Sequence, residues 1–374
     1  MRQLRNIFLL GRKELWSLWR DPMLLLLIVY IFSVSVYTSA TAMPETLHNA
    51  VIAIVDEDES PLSTRISSAF YPPQFTTPQR ITLSDMDAGM DRGDYTFVLN
   101  IPPGFQRDVL AGRSPDVQLN VDATRMSQAF TGNNYIQQIV NGEVQEFLQR
   151  YRKTQALPIN LEIRQRFNPT LERSWFGSIV EVINSVTMLS IILTGAALIR
   201  EREHGTIEHL LVMPVTPGEI MVSKIWSMGL VVVLATFTSL MLVVQGLLKV
   251  PIEGSIGLFL CGAALCVFAM TSLGIYLATL ARSMPQFGLL LVLILLPLQM
   301  LSGGMTPRES MPLLVQKIML VAPTTHFVEI GQAILFRGAG LAVVWPAFLA
   351  LLAIGIVLFL LSLRRFRSTI NQMA

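Results

Sequence analysis

The chain has 374 residues, 52% of them hydrophobic and only 14% charged, with a mean hydropathy of +0.53, values that exclude an ordinary soluble chain and imply a membrane protein. A formal charge of +2, from 28 Lys and Arg against 26 Asp and Glu, leaves no polybasic surface to neutralise a nucleic-acid backbone, so no nucleic-acid partner is expected. The two cysteines, Cys261 and Cys266, lie five residues apart in one apolar run and cannot frame a secreted disulfide scaffold.

Residues 1–22 read as an amphipathic helix lying in the cytoplasmic interface. Leu4, Ile7, Phe8, Leu15, Leu18 and Trp19 recur at helical spacing, with Arg5, Arg12 and Lys13 elsewhere on the wheel, as expected of a simple membrane anchor. Asp21 and Pro22, an N-cap acceptor and a proline at the first helical position, mark the start of a first span at 23–43. That run is too long for the roughly 7–15 residue core of a secretory signal, so Ala40-Thr41-Ala42 is not read as a cleavage site.

Residues 44–175 hold 16 acidic and 12 basic residues and must sit in water. Their pattern alternates in type: a buried strand at 50–55, a helix opened by Ser60-Pro61, a strand at 95–101, a short helix at 103–111, alternation at 117–121, a long helix carrying Ile136, Ile139, Val140, Phe147 and Tyr151, and a last strand at 159–163. This is an α/β domain inserted between the first two spans. Asp56-Glu57-Asp58-Glu59 reads as a solvated loop before a helix rather than a cation site, because four consecutive acids splay around the chain. No metal-ligand spacing is present.

Four further runs, 176–199, 225–248, 256–281 and 341–363, reach the roughly 20 residues a bilayer core requires, and a fifth, 287–303, falls short of it and carries Pro297. Together they predict a polytopic α-helical membrane protein with six transmembrane helices. Twelve Lys and Arg flank one side of this arrangement and four the other, which places both termini, including the tail at 364–374, in the cytoplasm and residues 44–175 outside. Glu181, with Asn184 three residues on, stands among Ile179, Val180, Val182 and Ile183, where an ionisable group either faces a watery transport path or snorkels to the interface.

The cytoplasmic region 200–224 opens on Glu201, Arg202 and Glu203. Gly205 then permits a turn, and Thr206, Ile207, Leu210 and Leu211 form a short amphipathic helix that stops before Pro214. This is either a hairpin on the headgroups or a docking surface. Between 304 and 340 two apolar pieces, 313–321 and 327–336, are too short to span, and His326 and Glu329 could pair with each other or with Arg337.

No chemistry of catalysis is visible. The nearest approach to a phosphate loop, Gly218 to Lys224, has Ser223 where the second glycine belongs, and neither a metalloprotease helix nor a nucleophile elbow occurs.

Three stretches in this order resemble the membrane subunit of a type-2 ATP-binding-cassette exporter: Ile101-Pro102-Pro103-Gly104-Phe105; Glu201 to Thr206 with Leu210 to Pro214; and Ala322 to Phe327 running on to Arg337-Gly338. The resemblance covers the whole chain. It implies a bacterial inner-membrane permease, itself not an enzyme and without a cofactor, whose coupling helix, with Glu201, Arg202, Glu203, Gly205, Thr206, Glu208, Leu211 and Pro214, sits in a groove of a cytoplasmic ATPase subunit that binds ATP and magnesium. It further implies a second copy or a sister permease, re-entrant helices at 304–340 bearing His326, Glu329 and Arg337, and surrounding lipid. Family members with such an outside domain are often exporters of drugs or lipophilic compounds that meet a periplasmic adaptor. The alternative from composition alone is an ion-coupled secondary transporter or channel; its usual signs, two related halves and several mid-span ionisable groups, are lacking.

Overall fold

The computed structural model describes residues 2–41, 47, 49–122, 126–151, 173–203, 215–306 and 308–371. It divides into two compact units, one made of Met1–Met43 with Gln165–Ala374, the other of Pro44–Arg164. The larger unit begins with α1 (Arg2–Trp19), which ends at a turn before α2 (Pro22–Thr41). Asp21 caps α2, its carboxylate accepting from the Leu24 amide at 3.1 Å, and Pro22 fills the first position, as the sequence signals. A wide π-turn interrupts α2 at Ile31–Ser35.

The smaller unit is built on a four-stranded sheet, in the order β2-β1-β3-β4, from β1 (Ile52–Asp56), β2 (Gln79–Arg80), β3 (Phe97–Ile101) and β4 (Gln118–Val121). β1 runs parallel to both β2 and β3, and β4 closes the other edge antiparallel to β3. Between the strands lie α3 (Pro61–Ser68), α4 (Leu83–Asp91) and α5 (Phe105–Leu110), and α6 (Met126–Tyr151) follows β4. Alternate residues of β1 face opposite layers. Ile52 and Ile54 enter a large core with Leu62, Ile66, Phe75, Phe97 and Ile136, whereas Ala53 and Val55 meet Met86 of α4 and Val98. Phe70, Phe75 and Phe97 stack edge to face, with centroids 5.1 and 6.3 Å apart.

The acidic loop after β1 has a structural role. Asp56 accepts from the Asp58 and Glu59 amides and from Ser63 Oγ, while Asp58 accepts from the Gln106 amide at the start of α5. That turn into α5 requires Gly104, whose φ of +79° lies in the left-handed region. β2 and α4 are additions to the elements the pattern suggests. The expected strand at 159–163 lies outside the described residues.

The larger unit resumes with α7 (Arg173–Glu203), α8 (Pro217–Leu247), α9 (Ile256–Leu280), α10 (Met284–Met300), α11 (Leu313–Met319), α12 (Pro323–Phe336) and α13 (Leu341–Asn371). Among the described residues five helices are long and apolar enough to cross a membrane: α2, α7, α8, α9 and α13. At 17 residues α10 is shorter, and α11 with α12 forms a pair bent by 89°, a broken span or a re-entrant loop. Helix α7 is the centre of this unit, 83% buried in its apolar stretch against 22% for α13. Several of its hydroxyls bond within the helix, Ser190 donating to the Val186 carbonyl at 2.6 Å and Thr194 to the Ser190 carbonyl at 2.8 Å. The region read as 200–224 is shortened from both ends, because α7 continues through Glu203 and α8 already starts at Pro217. Close approach elsewhere demands glycine: a Cβ on Gly254 would lie 2.0 Å from the Ile334 carbonyl oxygen.

Candidate coupling site

Three helices meet at the end of the larger unit where α7 stops and α8 starts. Helix α1 packs along α8, with Phe8 stacked on Trp226 at 5.9 Å and the Trp226 indole donating to the Ile7 carbonyl at 3.2 Å. Gly11 makes this approach possible, since a Cβ there would fall 2.2 Å from the Trp226 ring. The amphipathic helix is therefore docked on protein through part of the face that a simple anchor would give to lipid.

Between these helices lies an ion cluster. Lys224 Nζ is 3.0 Å from Glu14 Oε1 and 2.7 Å from Glu201 Oε2, and Lys13 Nζ is 2.6 Å from Glu201 Oε1. Lys224 is only 1% exposed, Glu14 is buried and Lys13 is half-exposed. Two cations facing two carboxylates leave the group neutral, the condition under which charge survives in a low-dielectric interior. Burial pulls the Lys13 ammonium down, but Glu201 and Glu14 outweigh it and hold its pKa above the ordinary lysine value. A groove of about 290 Å³ beside the cluster is lined by Lys13, Glu14, Ser17, Arg200 and Glu201 among others.

The neighbouring charges are also engaged inside the chain. Arg200 pairs with Asp21, tying the end of α7 to the start of α2. Arg202 donates to the carbonyls of Ala278, at 2.7 Å, and Ala281, where α9 ends, and Glu203 accepts from the Met284 amide at 3.0 Å, where α10 begins. Each placement matches the partial charge at a helix terminus. On the far side Thr216 and Glu219 form a reciprocal capping box, and Asn6 of α1 reaches Glu219 at 3.4 Å. The helix ends on either side of residues 204–214 are thus both fixed by bonds within the chain. Gly205, Thr206, Glu208, Leu211 and Pro214 lie within that segment, outside the described residues. Of the expected docking charges, Glu201, Arg202 and Glu203 bind this chain's own helices.

Glu181 and Asn184 lie on α7 and bond different neighbouring helices. The Glu181 carboxylate accepts from Ser35 Oγ of α2 at 2.6 Å, while the Asn184 backbone carbonyl accepts from Gln299 of α10 at 3.4 Å. His326 does not need Glu329 or Arg337 as a partner, because its Nε2 lies 2.9 Å from the Leu320 carbonyl and joins α12 to the end of α11. Glu329 and Arg337 instead line a cleft of about 520 Å³ with Arg308, Glu309 and Phe176. Among the described residues no group of three or more His, Cys, Asp or Glu is placed to hold a metal ion.

Sequence reasoning passed over Glu14 and Lys224 as cluster members. The available signal was Lys224 itself, a cation set between Ile220, Met221, Ile225 and Met228 in an apolar helix start.

The family model described as ABC-2 family transporter protein matches residues 19–364. Inner membrane transport permease YhhJ of Escherichia coli (strain K12) is 64% identical over 374 residues, covering all of both chains. Probable multidrug ABC transporter permease YbhR of the same organism is 28% identical over 359 residues, covering 93% of this chain and 95% of its own length. Probable multidrug ABC transporter permease YbhS, also of Escherichia coli (strain K12), is 25% identical over 353 residues, with 89% of each chain covered.

Proposed function

We propose that this chain, which belongs to the ABC-2 transporter family and is a multi-pass ABC transporter permease, is the export pathway of a complex in which a separate cytoplasmic ATPase binds nucleotide and magnesium. The observation that carries this reading is the way segment 204–214 is mounted. Its leading end is continuous with α7, whose Arg202 and Glu203 hold the end of α9 and the start of α10, and its trailing end is continuous with α8. A displacement of this short segment by an ATPase would reach four helices, α7 to α10, through the chain and bonds already formed, which is what a coupling element must do.

On this reading both termini are cytoplasmic, the membrane is the bacterial inner membrane, and Pro44–Arg164 is extracytoplasmic. A second copy or a sister permease completes the pathway. Drugs or lipophilic compounds are the substrate class, supported by the names of the 28% and 25% identical relatives, and an extracytoplasmic adaptor would receive them. Surrounding lipid packs against exposed apolar residues such as Leu289, Leu293 and Leu360.

The test is affinity purification of the tagged full-length chain from native membranes, with transport measured after ATP depletion. Recovery of a nucleotide-binding subunit and loss of transport support the reading. A chain that purifies alone while transport persists favours an ion-coupled carrier and would overturn it.

A further inference from the structure

The docked helix α1 has no evident need of a buried ion cluster if it serves only to anchor the chain. Its apolar residues and the Phe8–Trp226 stack already hold it in place, and a buried lysine is costly unless fully paired. Apolar residues at positions 14, 201 and 224 would secure the same three helices at no desolvation cost. The charges nonetheless converge: Glu14 comes from α1, Glu201 from the last turn of α7 and Lys224 from the second turn of α8, and Lys224 bridges both carboxylates within 3.0 Å. Those two helices are the ones that carry segment 204–214.

We infer that Lys224 is a positioning residue for energy coupling, fastening the N-terminal helix to both supports of segment 204–214 so that all three move as one body. The inference rests on the permease reading and adds to it the residue that ties α1 to α7 and α8. Three features define that body. Lys224 and Glu201 join α7 to α8, Lys224 and Glu14 join α8 to α1, and Lys13 and Glu201 return from α1 to α7. The triangle is closed, so no one helix shifts without breaking two of its sides. Asn6 on Glu219 and Gly11 under Trp226 add contacts along the α1–α8 side alone.

The test uses the full-length chain purified with its ATPase subunit and reconstituted in lipid nanodiscs, reading subunit ratio and ATP hydrolysis side by side. Lys224→Met should keep the wild-type subunit ratio while hydrolysis by the complex falls about tenfold, within the usual range of coupling energies. Lys224→Arg, which keeps the charge, should restore hydrolysis to within about threefold of wild type. Glu14→Gln, which removes only the tie to α1, should fall between them. Wild-type hydrolysis in Lys224→Met would overturn the inference, as would loss of assembly in Lys224→Met and Lys224→Arg alike, which would make the cluster a device of folding only. If Lys224→Met does not insert, Glu14→Gln decides, and wild-type hydrolysis there sinks the proposal. A wild-type chain that recovers no ATPase would instead defeat the permease reading.

Discussion

Arg202 provides the sharpest structural test, because its two hydrogen bonds distinguish an internal clamp from a docking charge. Its guanidinium donates to the Ala278 and Ala281 carbonyls, the first at 2.7 Å, and so closes the C-terminal end of α9. A hydrogen bond to a charged group contributes about 1.5–3 kcal/mol net. Arg202 is partly exposed, so water would recover some of that loss in Arg202→Met, and the expected cost for the pair is about 2–4 kcal/mol. At about 2–4 °C per kcal/mol for domains of 150–250 residues, the unfolding midpoint in detergent should drop by about 4–16 °C. Arg202→Lys should lie between, since an ammonium lacks the planar fork that reaches two carbonyls together. Hydrogen exchange provides the local readout. Amides near the end of α9 and the start of α10 should exchange about tenfold faster or more in Arg202→Met, while ATPase association is retained. An unchanged midpoint and unchanged exchange, with loss of ATPase association, would refute the clamp and return Arg202 to the docking surface.

Phe97→Ala removes a fully buried ring from the aromatic stack of the smaller unit and should cost about 3–5 kcal/mol, seen as loss of protease resistance confined to that unit in the full-length chain. Asp108 accepts from Arg113 and Arg107, which hold its pKa below the ordinary carboxylate value. Its contribution is present in full above that ordinary value and is lost as pH falls through the depressed one, so exchange protection at residues 105–113 should decline in acid, and Asp108→Asn should remove that component. Glu208→Lys reverses a charge within the mounted segment; hydrolysis by the complex and export should fall together without loss of membrane insertion, and wild-type values for both would reduce the segment to a surface hairpin.

Long apolar runs made the spans legible, and Asp21-Pro22 and Ser60-Pro61 marked two helix starts that the structure places at those residues. The strands at the centre of the smaller unit were equally plain, since β1 and β3 are buried on both faces and read as continuous apolar stretches. β2 has two exposed residues, Gln79 and Arg80, and an edge strand so short carries no periodicity to detect. The candidate site was harder to see for a different reason. Hydropathy treats Lys13, Arg200 and Lys224 as flanking charge that orients a span, and it contains no term for a partner about 200 residues away. Only packing shows that Glu14 and Glu201 enclose Lys224, or that Arg202 and Glu203 terminate two other helices. Ser35 escaped notice similarly: a hydroxyl in an apolar span ordinarily bonds its own backbone, whereas this one reaches Glu181.

The central claim is that this chain conducts export under the control of a separate ATPase through segment 204–214 and its mounting. The most direct measurement is ATP hydrolysis by the ATPase subunit alone, by this chain alone and by the two reconstituted together. The expected result is no hydrolysis by this chain, and hydrolysis by the pair that differs from that of the free ATPase and changes when Glu208 is reversed. Identical rates with and without this chain, for wild type and variant, would contradict the account.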